Sequence, residues 1–242
     1  MAAPIVTVCD SETSLACKLS DLVHKKAEEA ISQRCVFRLG VTGGSMVKVL
    51  CEGLPKHTAD WAKWKVFFCD ERHVPYTDKE CSYGDYKANL LTAVAIPENN
   101  LYPIQPDITV EEAAVEYEKK IKEEFAGSDL PRFDVLLLPM GADGHTCSLF
   151  PDHKLLNEKD KLVAALSDSP KPPPSRVTMT LPLVNNAACA VFVVYGASKA
   201  EMLKRVLEGN EANPLPAARI KPTNGELIWM VDAAAAKLLD RQ

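Results

Sequence analysis

"FDVLLLPM", residues 133–140, is apolar without interruption from Val135 to Met140. A strand with one wet face alternates apolar and polar residues, whereas a strand covered on both faces does not. This stretch therefore predicts an inner strand of a parallel sheet, with helices packed above and below. The segments around it agree. "TVEEAAVEYEKKIKEEFAG" (109–127) puts Val110, Ala113, Ala114, Tyr117, Ile121 and Phe125 on one helical face and stops at Gly127. "ACAVFVVYG" (188–196) is a second long apolar run, followed by a helix over 198–208. Toward the N-terminus come a strand at 5–8, a helix over 11–33 opened by Ser11 or Thr13, and a strand at 36–41 that enters Gly43-Gly44-Ser45 and another helix. "KVFFCD" (65–70) precedes a polar loop and a helix from about Tyr83 to Ala93. Further strands are read at 162–166, 176–181 and 226–231, with a last helix over "DAAAAKLLD". Alternation of this kind predicts an α/β fold with a doubly wound, mostly parallel sheet, residues 1–242 forming one domain. "DSPKPPPSR" (168–176) reads as a stiff loop within that domain, inclined to polyproline II.

Composition narrows the function. Twenty-eight Lys and Arg stand against 33 Asp and Glu, a formal net charge of −5, so no general attraction to nucleic acid or anionic lipid is expected. No apolar run approaches the ~18 residues of a membrane span, and the N-terminus lacks a basic region followed by an apolar one, so the expected location is the cytoplasm. The eight cysteines contain no C-x-x-C pair, which argues for reduced core residues and against structural zinc.

In open parallel sheets ligands bind beyond the carboxyl ends of the strands, so the residues that follow each apolar run are the candidates. Gly43, Gly44 and Ser45 form a strand-to-helix turn whose free amides suit a phosphate, although the pattern is neither a nucleoside triphosphate loop nor a dinucleotide fingerprint. Asp70, Glu71, Arg72 and His73 follow the third strand, and Arg72 can present a planar fork to phosphate or carboxylate. "MGADGHTCSLFP" (140–151) sets Asp143 two residues before His145 between glycines. Histidine has the pKa of a general base, and a carboxylate can fix its tautomer. Arg176 leaves the Pro-rich loop, and Ser198 and Lys199 follow "VFVVYGA". His24, His57 and His153 are expected to face solvent, His73 is a weaker rival to His145, and Cys147 lies near enough to His145 to be examined. No G-x-S-x-G or H-E-x-x-H is present.

"GGS", "CDERHVP", "MGADGHTCSLFP", "SPKPPPSRVTMTLP" and "GASKAEMLKRVL", in this order and at these intervals, resemble the 6-phosphogluconolactonases of the vertebrate type, from about Ile5 to about Leu239. The resemblance implies the glucosamine-6-phosphate isomerase type of fold. It also implies hydrolysis of 6-phosphoglucono-δ-lactone to 6-phosphogluconate in the oxidative pentose phosphate pathway, with no metal or organic cofactor. On this reading His145 is the base, oriented by Asp143 or Asp70, and Gly43, Gly44, Ser45, Arg72, Arg176 and Lys199 bind the phosphosugar. The only partner expected is the small lactone, acted on by a monomer or weak homodimer. Two other readings share the fold: a glucosamine-6-phosphate deaminase and a non-catalytic sugar-phosphate sensor. In the deaminase the D-G-H segment runs on to Asn-Glu-Pro, whereas here it runs into Ser148-Leu149-Phe150-Pro151.

Overall fold

The computed structural model describes residues 3–240. In chain order the strands and helices are β1 (Ile5–Cys9), α1 (Glu12–Arg34), β2 (Phe37–Val41), α2 (Ser45–Gly53), β3 (Trp64–Phe68), β4 (Asp70–Arg72), α3 (Ser82–Ala93), β5 (Leu101–Tyr102) and α4 (Val110–Glu124). There follow β6 (Val135–Pro139), β7 (Val163–Leu166), β8 (Arg176–Met179), α5 (Leu181–Val184), β9 (Cys189–Val194), α6 (Ala200–Glu208), β10 (Glu226–Asp232) and α7 (Ala233–Ala236).

Seven strands form a parallel sheet in the order β1-β10-β9-β6-β2-β3-β5, the doubly wound arrangement expected. The unbroken apolar run in β6 has the predicted cause. Val135 and Leu137 enter the core beneath α1, α2 and α3, while Leu136 and Leu138 enter the core beneath α4 and α6. β9 divides in the same way, with Val191 on the first side and Ala190 and Phe192 on the second, where Phe192 stacks on Trp229 at 3.9 Å between centroids.

One expectation changes. The segments at 162–166 and 176–181 do not join the large sheet; β7 and β8 pair with β4 in a separate antiparallel sheet, β4-β8-β7. The polar "DER" reads as a loop but is a strand, because Cys69 hands the chain from one sheet to the other. Its N–H donates to Val41 O in the large sheet (2.7 Å) and its carbonyl accepts from Met179 N in the small one (2.7 Å). β5 is too short to pair with Phe68, and the Tyr117 hydroxyl serves that residue instead, accepting from its N–H (2.6 Å) and donating to its carbonyl (3.1 Å). At the outer edge of the small sheet, Glu118 of α4 accepts from the N–H groups of Leu162 (2.9 Å) and Val163 (3.1 Å).

Helix ends follow local chemistry. Ser11, rather than Thr13, caps α1 by accepting from Ser14 N at 3.1 Å. Thr109 and Glu112 form a reciprocal capping box on α4. That helix stops before Gly127, because the chain turns left-handed at Ala126 and Gly127 and Gly127 N closes on Lys122 O. The last helix is only one turn, capped by Asp232. The Pro-rich loop contains a cis peptide at Pro172–Pro173.

Glu71, read from sequence only as part of a charge run, is buried and structural. Its carboxylate accepts from Arg72 N (2.8 Å), Ser82 N (2.9 Å) and Tyr83 N (2.7 Å), and so ties β4 to the start of α3. Charge-assisted bonds of this kind contribute about 1.5–3 kcal/mol each, partly offset by the burial of the charge. Glu71→Ala should lower the unfolding free energy by about 3 kcal/mol in a denaturant titration.

Candidate active site

In the large sheet the chain winds outward from β2 through β3 to β5 and, on the other side, from β6 through β9 to β10, with the N-terminal strand β1 paired outside β10. The direction therefore reverses between β2 and β6, where an open sheet forms a crevice at the carboxyl ends of its strands. A cleft of about 340 Å³ lies there, and its walls include Gly43, Gly44, Ser45, Asp70, Arg72, His145, Arg176 and Lys199. Asp143 stands directly behind His145, so all nine residues expected from sequence meet in one place.

His145 is presented by a tight loop after β6. Gly144 N donates to Gly141 O (3.0 Å) and Gly141 N to His145 O (2.8 Å), which folds the loop back on itself. Gly141 is required by contact, since a Cβ there would overlap His145 Nδ1 and lie 2.5 Å from Asp143 Oδ1. His145 Nδ1 is 2.5 Å from Asp143 Oδ1, so Asp143, not Asp70, orients the ring. Nδ1–H donates to the carboxylate, leaving Nε2 unprotonated as the basic atom. The ring packs against Phe150 at 4.9 Å between centroids. Burial pushes the imidazole below the ordinary histidine value and Lys171 pushes the same way, against the opposing pull of Asp143 and Asp70. Burial alone would raise the Asp143 carboxyl; the hydrogen bond and charge of His145, with the ammonium of Lys171, bring it down to about 2.

Asp70 has a different position. Its Oδ2 accepts from Ser148 Oγ at 2.7 Å, and Ser148 N in turn donates to Thr178 Oγ1 at 3.3 Å, which fixes the far end of the His145 loop to both β4 and β8. Cys147 is buried with its thiol pushed well up by its contact with Cys69, by burial and by Asp70, so it offers no thiolate to the cleft.

The cations come from three elements. Arg72 and Arg176 are direct partners across the β4–β8 ladder, which puts both side chains on one face. Arg72 Nη1 is held by Glu80 through its carbonyl (3.0 Å) and carboxylate (3.2 Å). Buried Arg176 donates to the carbonyls of Lys171, Pro172 and Pro173 at 3.0–3.1 Å. Lys199 donates to Met140 O at 2.9 Å. Gly44, at φ 71°, lets the chain turn sharply from β2 into α2, where the first amides of the helix lack intrahelical acceptors. The amides of Gly141 and Gly144 are consumed inside their own loop.

Lys171 lies in the quoted Pro-rich motif, but a lysine among prolines gives no sign from sequence of the carboxylate and imidazole it meets. Ser198, named beside Lys199, is not among the residues lining the cleft. The other histidines are not solvent-facing as expected: His24 stacks on His57 at 4.5 Å, and His153 accepts from Leu155 N and pairs with Asp168. Of the eight cysteines, all free, Cys9, Cys69, Cys81, Cys147 and Cys189 are buried as expected, while Cys35 is exposed. No helix among the described residues is long and apolar enough to cross a membrane.

Residues 10–229 match the family model described as glucosamine-6-phosphate isomerases/6-phosphogluconolactonase. The chain is 48% identical to the human 6-phosphogluconolactonase over 99% of its own length and 96% of the relative's. It is 42% identical to a probable 6-phosphogluconolactonase of Drosophila melanogaster, covering 95% of this chain and 93% of that one. Among solved structures, the 6-phosphogluconolactonase of Trypanosoma cruzi superposes with a TM-score of 0.85 at 23% identity, covering 98% and 97% of the two chains. A monomeric glucosamine-6-phosphate deaminase superposes with a TM-score of 0.79 at 17% identity, covering 97% and 99%. Both kinds of enzyme thus share this backbone, and the backbone by itself does not choose between them. The chain belongs to the glucosamine-6-phosphate isomerase/6-phosphogluconolactonase family.

Proposed function

We propose that the protein hydrolyses 6-phosphoglucono-δ-lactone to 6-phosphogluconate, with His145 as general base and no acyl-enzyme intermediate. The observation that carries this reading is the Asp143–His145 pair, set with Nε2 free in a cleft ringed by Arg72, Arg176 and Lys199. The names of the 48%- and 42%-identical relatives support the same substrate. Ser148 and the apolar residues after it supply no carboxylate for the ring-opening chemistry of a deaminase.

A lactone carbonyl is electrophilic already, so the protein has to place a water, take its proton and stabilise the tetrahedral oxyanion. His145 Nε2 accepts the proton as water oxygen bonds to the carbonyl carbon. When the ring C–O bond breaks, the imidazolium returns that proton to the leaving alkoxide, which becomes the hydroxyl of the open acid. Asp143 holds the ring through both steps and offsets the transient positive charge. Arg72 and Arg176 would repel each other in the empty cleft and attract a dianion between them, which suits a phosphate seated on the Gly43–Ser45 turn with Lys199 as a third cation. Binding at the phosphate then orients the reacting carbon at His145. The setting of this reaction in the oxidative pentose phosphate pathway, in the cytoplasm, belongs to the same proposal.

Acid release in a pH-stat from freshly made lactone, corrected for spontaneous hydrolysis, tests the function. Rapid release that requires the phosphate is expected; no release above background, with ammonia formed from glucosamine 6-phosphate or with binding alone, would sink it. His145→Ala should lower kcat by about 10²–10⁴-fold with little change in KM, and Gly141→Ala should behave alike because it dislodges the ring. Since the base works unprotonated, kcat should fall as pH drops through the His145 pKa, and stopped assays across pH should place that limb below the ordinary histidine value. Arg72→Ala should raise KM alone, whereas Arg176→Ala should affect both parameters, since Arg176 also anchors the loop that reaches the base.

A further inference from the structure

The Pro-rich loop does more than connect β7 to β8. Lys171 Nζ lies 3.1 Å from Asp143 Oδ2 and 3.1 Å from His145 Nδ1. The loop is organised to hold that lysine. Ser169 Oγ donates to Lys171 O (2.8 Å) and accepts from Lys171 N (3.2 Å), and Ser169 N donates to Pro174 O (3.1 Å). Arg176 gathers the carbonyls of Lys171, Pro172 and Pro173 from the other side. Prolines supply acceptors and no donors, so a run of them suits a buried guanidinium.

We propose that Lys171 is a positioning residue for the base: its ammonium occupies Asp143 Oδ2, leaves Oδ1 to accept Nδ1–H, and keeps His145 neutral with Nε2 as the free lone pair. The geometry leaves little choice of protonation. A carboxylate oxygen 2.5 Å from Nδ1 requires a proton between them, so the ammonium at 3.1 Å approaches the ring as a charge and not as a donor. A carboxylate alone would favour imidazolium, a form that cannot take a proton from water. Burial of the ring opposes that form first and Lys171 adds to the opposition, and once the imidazolium forms in the reaction the ammonium favours return of the proton to the leaving oxygen.

The charged groups facing His145 are few. Asp143 comes from its own loop, Lys171 from the Pro-rich loop and Asp70 from β4. Lys199 stands beside Met140 and feels both Lys171 and Asp143. Cys147 remains a thiol. Arg72 and Arg176 line the same cleft from β4 and β8, and among these cations Lys171 is the one that makes an ion pair with Asp143.

This inference rests on the proposed lactonase reading, and the test separates the two. In the full chain, the His145 ring is titrated by NMR in the parent protein, Lys171→Met and Lys171→Arg, and kcat and KM for the lactone are measured across pH. Lys171→Met should raise the His145 pKa, move the acid limb of kcat to higher pH and lower kcat on the acid side of neutrality by about tenfold, with KM within about twofold. Lys171→Arg should restore the limb. An unmoved titration and limb in Lys171→Met, or a raised KM with the limb in place, would overturn the assignment. The NMR titration needs no turnover, so a parent protein inactive on the lactone would count against the function and not against the contact.

Discussion

The chain winds from β2 through β3 to β5 on one side and from β6 through β9 to β10 on the other, and no covering helix can close the gap where those directions part. Much of the site is delivered to that gap by the end of a strand. β2 ends in the glycine turn, β3 passes through Cys69 into the strand that carries Asp70 and Arg72, and β6 ends in the loop of Asp143 and His145. The small antiparallel sheet then acts as a second wall. Because Cys69 is bonded to both sheets through one peptide residue, the carboxylate and guanidinium next to it are fixed relative to the base by backbone rather than by flexible side chains.

The electrostatics of the cleft run against those of the molecule. A chain with net charge −5 concentrates Arg72, Arg176, Lys199 and Lys171 in one crevice, with Asp70 and Asp143 as the local counter-charges. Arg176 has the most constrained position of these, since it spans the proposed phosphate seat and the carbonyls of the loop that bears Lys171. On the proposed reading, binding and base share this one side chain. A side chain that reaches toward substrate on one side and braces the base on the other joins affinity to geometry.

Much of this was legible in the sequence, for identifiable reasons. Buried parallel strands are continuous apolar runs, so β6 and β9 announced themselves, and strand ends then pointed to the candidate residues without any knowledge of contacts. Other features depend on pairing that sequence does not display. "DER" is polar and short, and becomes a strand only because β8 lies opposite it. Glu71 looks like its charged neighbours until the amides of α3 are placed around it. Lys171 gains meaning from a loop that folds across sequence separations of 26 and 28 residues to His145 and Asp143. The choice between Asp70 and Asp143 required distances: Asp143 contacts the ring, whereas Asp70 accepts from Ser148.

The contact between Glu118 and the start of β7 has a further consequence. β7 is an outer strand, and an outer strand with open donors is a template on which a foreign strand can add. By taking the amides of Leu162 and Val163, the carboxylate of α4 occupies the open donor at the start of that template and places negative charge where an incoming carbonyl would sit. The same helix face that closes the core of the small sheet therefore also guards the protein against edge-to-edge aggregation when it is concentrated.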